Sequence, residues 1–249
     1  MKRERIDKLL VDRGLTPSRT RAQALVMAGV VLVDEQLIKK PSEAFAPDAN
    51  IRLKGDGDPA SRYVSRGGLK LEAALREFQI IPDELTCLDV GASTGGFTDC
   101  LLQHGARRVM AVDVGHDQFD WRLRNDPRVE LREGVNARYL KPEDFDRKFD
   151  LATIDVAFIS ATKILPAVAP LLVEQGKIIT LIKPQFEVGK GEVGKGGIVK
   201  DRAKHERVVA EVNRSAERLG LCVGGVIESP IHGAEGNVEF LALYLRSSS

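Results

Sequence analysis

The residues of this 249-residue chain best placed for chemistry are a glycine-rich turn, two lysines and three carboxylates. The turn, Gly91-Ala92-Ser93-Thr94-Gly95-Gly96, follows the apolar stretch Cys87-Leu88-Asp89-Val90 and runs into Phe97-Thr98. Turns of this kind let backbone N–H groups approach a ligand that ordinary side chains would hold off. Asp113 lies 22 residues beyond Gly91, in a second apolar stretch. A carboxylate there can accept both hydroxyl protons of a ribose diol, which points to an adenosine-like ligand. Asn136, Asp155 and Lys183 follow or close later stretches, and Glu239 stands in the last one. Lys70 falls in the first turn of a predicted helix. The macrodipole disfavours a cation at that end, so its position invites another explanation.

Residues so scattered meet only if strand ends gather them. The pattern predicts strands at 85–90, 109–114, 129–132, 149–156, 177–183, 223–229 and 238–245, with helices at 69–78, 96–104, 160–173 and 202–219. Strands alternating with helices argue for an α/β, doubly wound sheet of seven strands. In that architecture a ligand sits at the carboxyl ends of the strands, at the topological switch. Residues 185–201 read as a Gly/Lys-rich loop carrying Lys190, Lys195 and Lys200, which suit phosphate contacts with a nucleic acid.

Two ligands compete for the turn. A nicotinamide dinucleotide wants G-x-G-x-x-G at the helix N-terminus, so that backbone can cradle the pyrophosphate. Ser93 stands where the second glycine belongs and would crowd that group. S-adenosylmethionine carries no phosphate and tolerates it. The segment Leu88-Asp89-Val90-Gly91, with an acid before the glycine, also resembles the first motif of methyltransferases. That resemblance implies S-adenosylmethionine as cofactor, with Asp89, Gly91, Ser93, Gly95, Gly96, Phe97, Asp113, Asn136, Asp155 and Phe158 as its contacts. Phe97 or Phe158 would face the sulfonium.

What is missing and what remains narrow the methyl acceptor without settling it. Enzymes that methylate exocyclic amines of bases resemble N/D-P-P-Y/F after the fourth strand. Here the segment is Asp155-Val156-Ala157-Phe158-Ile159-Ser160, without the prolines. No cysteine sits at a strand end, as a pyrimidine carbon-five enzyme would need. An acid, two lysines and a late glutamate are left. A ribose hydroxyl is a weak nucleophile that must lose its proton as it attacks, and a lysine whose pKa is lowered by burial or a second ammonium can take it. The set Lys70, Asp155, Lys183 and Glu239, in the segments 65–71, 155–160, 181–187 and 236–240, resembles the Lys-Asp-Lys-Glu tetrad of FtsJ-like 2′-O-ribose methyltransferases. The resemblance implies Lys183 as general base, Lys70 and Glu239 as residues that orient the ribose, and Asp155 as the group that positions lysine and methyl donor. It implies no metal.

The amino-terminal part is a different module. Residues 1–33 carry seven Lys/Arg against three Asp/Glu, although the whole chain is nearly neutral at +1. Ile6, Leu9 and Leu10 predict a helix over 4–13. Ala22, Leu25 and Val26 predict another over 19–28, and short strands follow at 30–33 and 51–53. The segments 5–10, 18–26 and 29–33 resemble the RNA-binding domain first known from small-subunit ribosomal protein number four. This implies an α+β RNA-binding domain over 1–60, a linker over 61–68 and a methyltransferase domain over 69–249. Arg5, Lys8, Arg19, Arg21 and Arg66 are the implied RNA contacts.

Together the two parts resemble the TlyA (hemolysin A) family, which implies transfer of methyl to a cytidine ribose of ribosomal RNA, in one or both ribosomal subunits. One departure stands out: where that family often has Arg-x-Trp-Val in the linker, this chain reads Arg62-Tyr63-Val64. Two rival classes stay open, a non-catalytic RNA-binding protein and a membrane-damaging hemolysin. Against the latter, no apolar run is long enough to span a bilayer, and the start lacks the pattern of a signal peptide. Three well-separated cysteines without a C-x-x-C pair speak against metal and disulfide. A cytoplasmic protein without metal or membrane partner is the expectation.

Overall fold

In the computed structural model, residues 3–34, 36–53, 62–189, 191–233 and 236–247 are described. The chain divides into two units, Met1–Arg62 and Tyr63–Ser249. Ser61, the first residue of the expected linker over 61–68, and Lys190 lie outside the described residues.

The first unit contains β1 (Glu4–Arg5), α1 (Ile6–Asp12), α2 (Arg19–Met27), β2 (Val31–Val33), β3 (Gln36–Leu37), β4 (Ala44–Phe45) and β5 (Ile51–Leu53). Helix α2 starts where the Ser18 side chain accepts the Arg21 backbone N–H, satisfying one orphan donor of the first turn. Ile6, Leu9, Leu10, Ala22 and Val26 are buried with Val31, Val33 and Ile51. The spacing predicts a helix from residue 4, yet it begins at Ile6. Glu4 and Arg5 instead pair antiparallel with Phe45 and Ala44, so their backbone is held extended.

The second unit runs α3 (Gly67–Glu77), β6 (Thr86–Val90), α4 (Gly96–Gln103), β7 (Arg108–Val112), α5 (Trp121–Arg124), β8 (Val129–Arg132), β9 (Phe149–Ile154), α6 (Leu165–Val168), β10 (Leu172–Ile182), α7 (Pro184–Glu187), α8 (Arg202–Glu217), β11 (Leu221–Glu228) and β12 (Phe240–Arg246). Seven strands form one sheet in the order β11-β12-β10-β9-β6-β7-β8. Strands β10, β9, β6, β7 and β8 are parallel, and β12 lies antiparallel to both β10 and β11. All five residues of β6 are buried, as expected of a parallel strand covered on both faces. From β6 the chain moves outward through β7 and β8, then returns to place β9 on the other side of β6. That reversal opens a crevice beyond the carboxyl ends of β6 and β9.

Five expectations about this unit need correction. The single helix over 160–173 is broken into a 3₁₀ turn (Ala161–Lys163), α6 and another 3₁₀ turn (Ala169–Leu171). Pro166 and Pro170 each sit at the start of a new helical segment, because proline lacks the N–H that would continue the preceding one. Strand β10 accordingly begins at Leu172, five residues early. Strand β12 begins at Phe240, which leaves Glu239 just ahead of the ladder rather than in it. The loop over 185–201 contains α7 and a 3₁₀ turn, and Asn237 fastens it: Val199 N–H donates to Asn237 Oδ1 at 3.0 Å, and Asn237 Nδ2 donates to the Gly197 carbonyl at 3.0 Å. Finally, the segment read as a linker up to residue 68 belongs to this unit from Tyr63 onward. The Tyr63 ring is 5% exposed within the core built around Leu71, Phe97 and Leu101.

Candidate active site

Strand β6 ends at Val90, and Gly91 turns the chain with φ +83°. A Cβ on Gly91 would lie 2.2 Å from the Asp155 carbonyl oxygen, so only glycine lets the turn pass this close to the end of β9. Two cavities flank this contact. One, of about 520 Å³, is lined by Asp113, Gly115, Asn136, Val156, Ala157 and Ile159, among others. The other, of about 250 Å³, is lined by Ser65, Arg66, Lys70, Thr94, Phe97 and His232, among others. Gly91, Ser93 and Asp155 line both, so the two cavities meet at the switch point.

Asp113 braces the turn: Ser93 N–H donates to its Oδ2 at 2.7 Å and Gly115 N–H to its Oδ1 at 2.6 Å. Each carboxylate oxygen keeps a lone pair for a diol hydroxyl. Asn136 accepts the Arg138 N–H at 3.2 Å at the floor of the same cavity. Phe97 is 3% exposed, a core ring that touches only the smaller cavity.

Two of the implied ligand contacts face elsewhere. Gly95 caps α4 and packs toward Leu123 and Phe119 rather than lining either cavity. Asp89 is fully buried beneath the turn, accepting the hydroxyls of Thr98 at 2.7 Å and Thr153 at 2.9 Å. Burial pushes its carboxyl up to about 6, against the pull of those two hydroxyls. An acid before a glycine reads as a ligand contact, but here it ties β6 to α4 and β9.

Phe158, a candidate for the sulfonium-facing ring, lines the larger cavity. It is 91% exposed, with φ +62°, and its ring lies 5.1 Å from that of Phe186. A left-handed backbone at a bulky residue is strained; here it projects an aromatic face outward at the rim of the larger cavity.

Lys70, Asp155, Lys183 and Glu239 form two ion pairs. Lys70 Nζ lies 2.5 Å from Glu239 Oε2, with side chains 11% and 2% exposed. Lys183 Nζ lies 2.6 Å from Asp155 Oδ1, with side chains 14% and 22% exposed. Helix α3 carries Lys70, and the ends of β9 and β10 supply Asp155 and Lys183 side by side because these strands are parallel neighbours. Lys70 and Asp155 both line the smaller cavity. The arrangement therefore offers two amines, each held by a carboxylate, beside a crevice fit for a nucleoside.

His232 and Glu187 also stand at the site, without being candidates from the sequence. His232 lines the smaller cavity, and nothing in its spacing marks it. Glu187 accepts the Ser160 hydroxyl at 2.5 Å and the Ala161 N–H at 2.7 Å, joining the segment after β10 to the segment after β9. Burial raises its pKa. Its place in the signature 181–187 was the available signal. Among the described residues, no group of three His, Cys, Asp or Glu stands close enough to hold a metal, and no helix is long and apolar enough to cross a membrane.

In the first unit the implied RNA contacts differ from one another. Arg5 and Arg19 both reach the buried carboxylate of Asp7. Lys8 pairs with Glu4 at 3.0 Å and Asp12 at 3.7 Å. Arg21 is exposed, without an ion pair among the described residues. Arg66 lies in the second unit, exposed at the smaller cavity.

Sheet order, switch-point crevice and paired lysines define a Rossmann-like methyltransferase. Residues 63–245 match the FtsJ-like methyltransferase family, and residues 4–51 match the S4 domain. The 16S/23S rRNA (cytidine-2′-O)-methyltransferase TlyA of Mycobacterium tuberculosis is 45% identical over 248 residues, covering 100% of this chain and 91% of its own. Hemolysin A of Brachyspira hyodysenteriae is 41% identical, covering 97% and 99%. A solved structure of a candidate hemolysin from Streptococcus thermophilus has a TM-score of 0.76 at 45% identity, covering 100% and 90%. This chain belongs to the FtsJ-like methyltransferases, in the group represented by TlyA and hemolysin A, with an S4 domain at its amino end.

Proposed function

We propose that the protein transfers a methyl group from S-adenosylmethionine to a ribose 2′-hydroxyl of ribosomal RNA, at a cytidine, as its Mycobacterium tuberculosis relative is named for. The observation that carries this reading is the pair of lysine–carboxylate contacts beside the two cavities, with Asp155 lining both and Lys70 lining the smaller. The residues fit the cofactor. Asp113 suits the ribose diol, Asn136, Ala157 and Ile159 line a slot for the base, and the smaller cavity has room for the amino-acid end. When bound, the cofactor supplies an electrophilic methyl on a sulfonium, and no metal is required.

Lys183, as the neutral amine, would take the proton of the 2′-hydroxyl, and Asp155 holds its Nζ at the end of β9. Lys70, fixed by Glu239, donates to the ribose and sets the line of attack. Most of the acceleration comes from this orientation. The exposed Phe158 ring and the Arg66 guanidinium stand outside the pairs, where a base and a phosphate of the target strand would lie. The S4 unit brings the ribosomal subunit or its RNA.

Ribosomal subunits lacking the modification are incubated with protein and S-adenosylmethionine and mapped by reverse transcription at limiting nucleotide. A new stop at a cytidine, absent with Lys183→Ala, is the expected result. Methylation of a base, or an undiminished stop with Lys183→Ala, overturns the assignment.

A further inference from the structure

Asp7 is 0% exposed, yet it lies in the most basic part of the chain. Four donors converge on its carboxylate. Arg5 forks onto it, Nε to Oδ1 at 3.0 Å and Nη2 to Oδ2 at 2.9 Å. Arg19 Nη2 donates to Oδ2 at 3.1 Å, and Gln23 Nε2 donates to the same oxygen at 2.9 Å. Arg5 precedes α1 and Arg19 opens α2, so one buried acid gathers side chains from both helical segments.

The two arginines are not consumed by this contact. Their side chains stay 48% and 57% exposed. Arg5 uses two N–H donors on Asp7 and Arg19 uses one, out of five on each guanidinium. Two cations this close would repel, and free in water each would sample many rotamers. The carboxylate offsets the repulsion and fixes both forks in one orientation. The Arg5 guanidinium holds the Asp7 carboxyl far below the usual carboxylate range, so the anchor stays charged in any ordinary buffer.

We propose that Asp7 is a positioning residue for RNA binding, a buried acid that presents Arg5 and Arg19 as a pre-formed phosphate fork. This rests on the reading that the S4 unit binds RNA. It makes a prediction opposite in sign to charge counting. Removing an acid from a polyanion-binding surface should tighten binding; here it weakens it, because ordering two arginines at the moment of contact costs affinity.

The test measures binding of the full chain to isolated ribosomal subunits across a salt series. Asp7→Asn is expected to bind about tenfold more weakly at every salt concentration. The slope of log affinity against log salt stays at the parent's value, because no phosphate contact is deleted; a lost contact would lower it by about 0.9. Arg5→Lys and Arg19→Lys keep both the charge and Asp7 but lose the planar fork. Each is expected to weaken binding several-fold with the slope unchanged, and these two variants decide the matter if Asp7→Asn fails to fold. Equal or tighter binding by a folded Asp7→Asn, or parental binding by both lysine variants, overturns the proposal. If the parent itself shows no salt-dependent affinity, the RNA-binding reading fails instead.

Discussion

Each unit pairs buried acid with cation, but with a different base. In the first unit Asp7 is ringed by arginines whose side chains remain about half exposed. In the second, Glu239 and Asp155 each hold a lysine that is itself nearly buried. A guanidinium keeps its proton at any accessible pH and offers a planar fork, which suits a phosphate that must be held. An ammonium can give up its proton and take another, which suits a hydroxyl that must be activated. On the proposed function, the same device, a carboxylate fixing a cation, would serve binding in one unit and proton transfer in the other, with the choice of base deciding which.

The contrast breaks most sharply at Lys183. Lys183→Arg keeps the charge beside Asp155 but cannot accept a proton. Single-turnover methyl transfer should fall by about 10²–10⁴, as for Lys183→Ala, while affinity for S-adenosylhomocysteine measured by calorimetry stays near the parent's. An active Lys183→Arg enzyme would dissolve the distinction between the two units. Next in size, Lys70→Met alone strands the Glu239 carboxylate and should cost about 3–5 kcal/mol in chemical denaturation. Adding Glu239→Leu should recover most of that stability and none of the methyl transfer. That outcome would show the pair is kept for chemistry.

The third prediction concerns a buried acid that has no cation. Asp89 sits at about 6 instead of its ordinary 3.8, so the folded state holds its proton more tightly than the unfolded chain does. Its contribution to stability is complete below about pH 4, fades as pH rises through 6 and is gone above that. Relative to Asp89→Asn, the parent should gain on the order of 3 kcal/mol between pH 7 and pH 4, read from denaturation curves at several pH values. A flat difference would place the charge elsewhere. Smallest of all, the exposed pair Arg202–Glu206 should be nearly inert. Arg202→Ala is expected to move the melting temperature by no more than about 2 °C, which sets the baseline for the buried pairs.

Much of this architecture was legible in the residues. The alternation of apolar stretches yields the sheet, and the distance from the glycine-rich turn to Asp113 yields the crevice. What stayed hidden is burial of charge. Asp7 draws no notice in the sequence, and Glu239 stands out only through the tetrad resemblance, because burial is not written locally: its partner Lys70 is 169 residues from Glu239. Asp89 misleads for the same reason, since its hydroxyl partners on α4 and β9 are invisible locally. The broken helix over 161–171 misleads differently. Its apolar spacing is helical, and only Pro166 and Pro170 report the breaks. Phe158 could not be placed by type alone, because an aromatic in an apolar run normally turns inward, and its left-handed backbone turns it out.

The seating of Tyr63 has a practical meaning for anyone dividing the chain. A Cβ on Gly68 would lie 2.3 Å from the Tyr63 ring, so the ring and the start of α3 are fitted face to face. A truncated catalytic half that starts at residue 69, the boundary the family resemblance implies, would discard that ring and leave Leu71 and Phe97 wetted. Trimming at Arg62 instead keeps the plug.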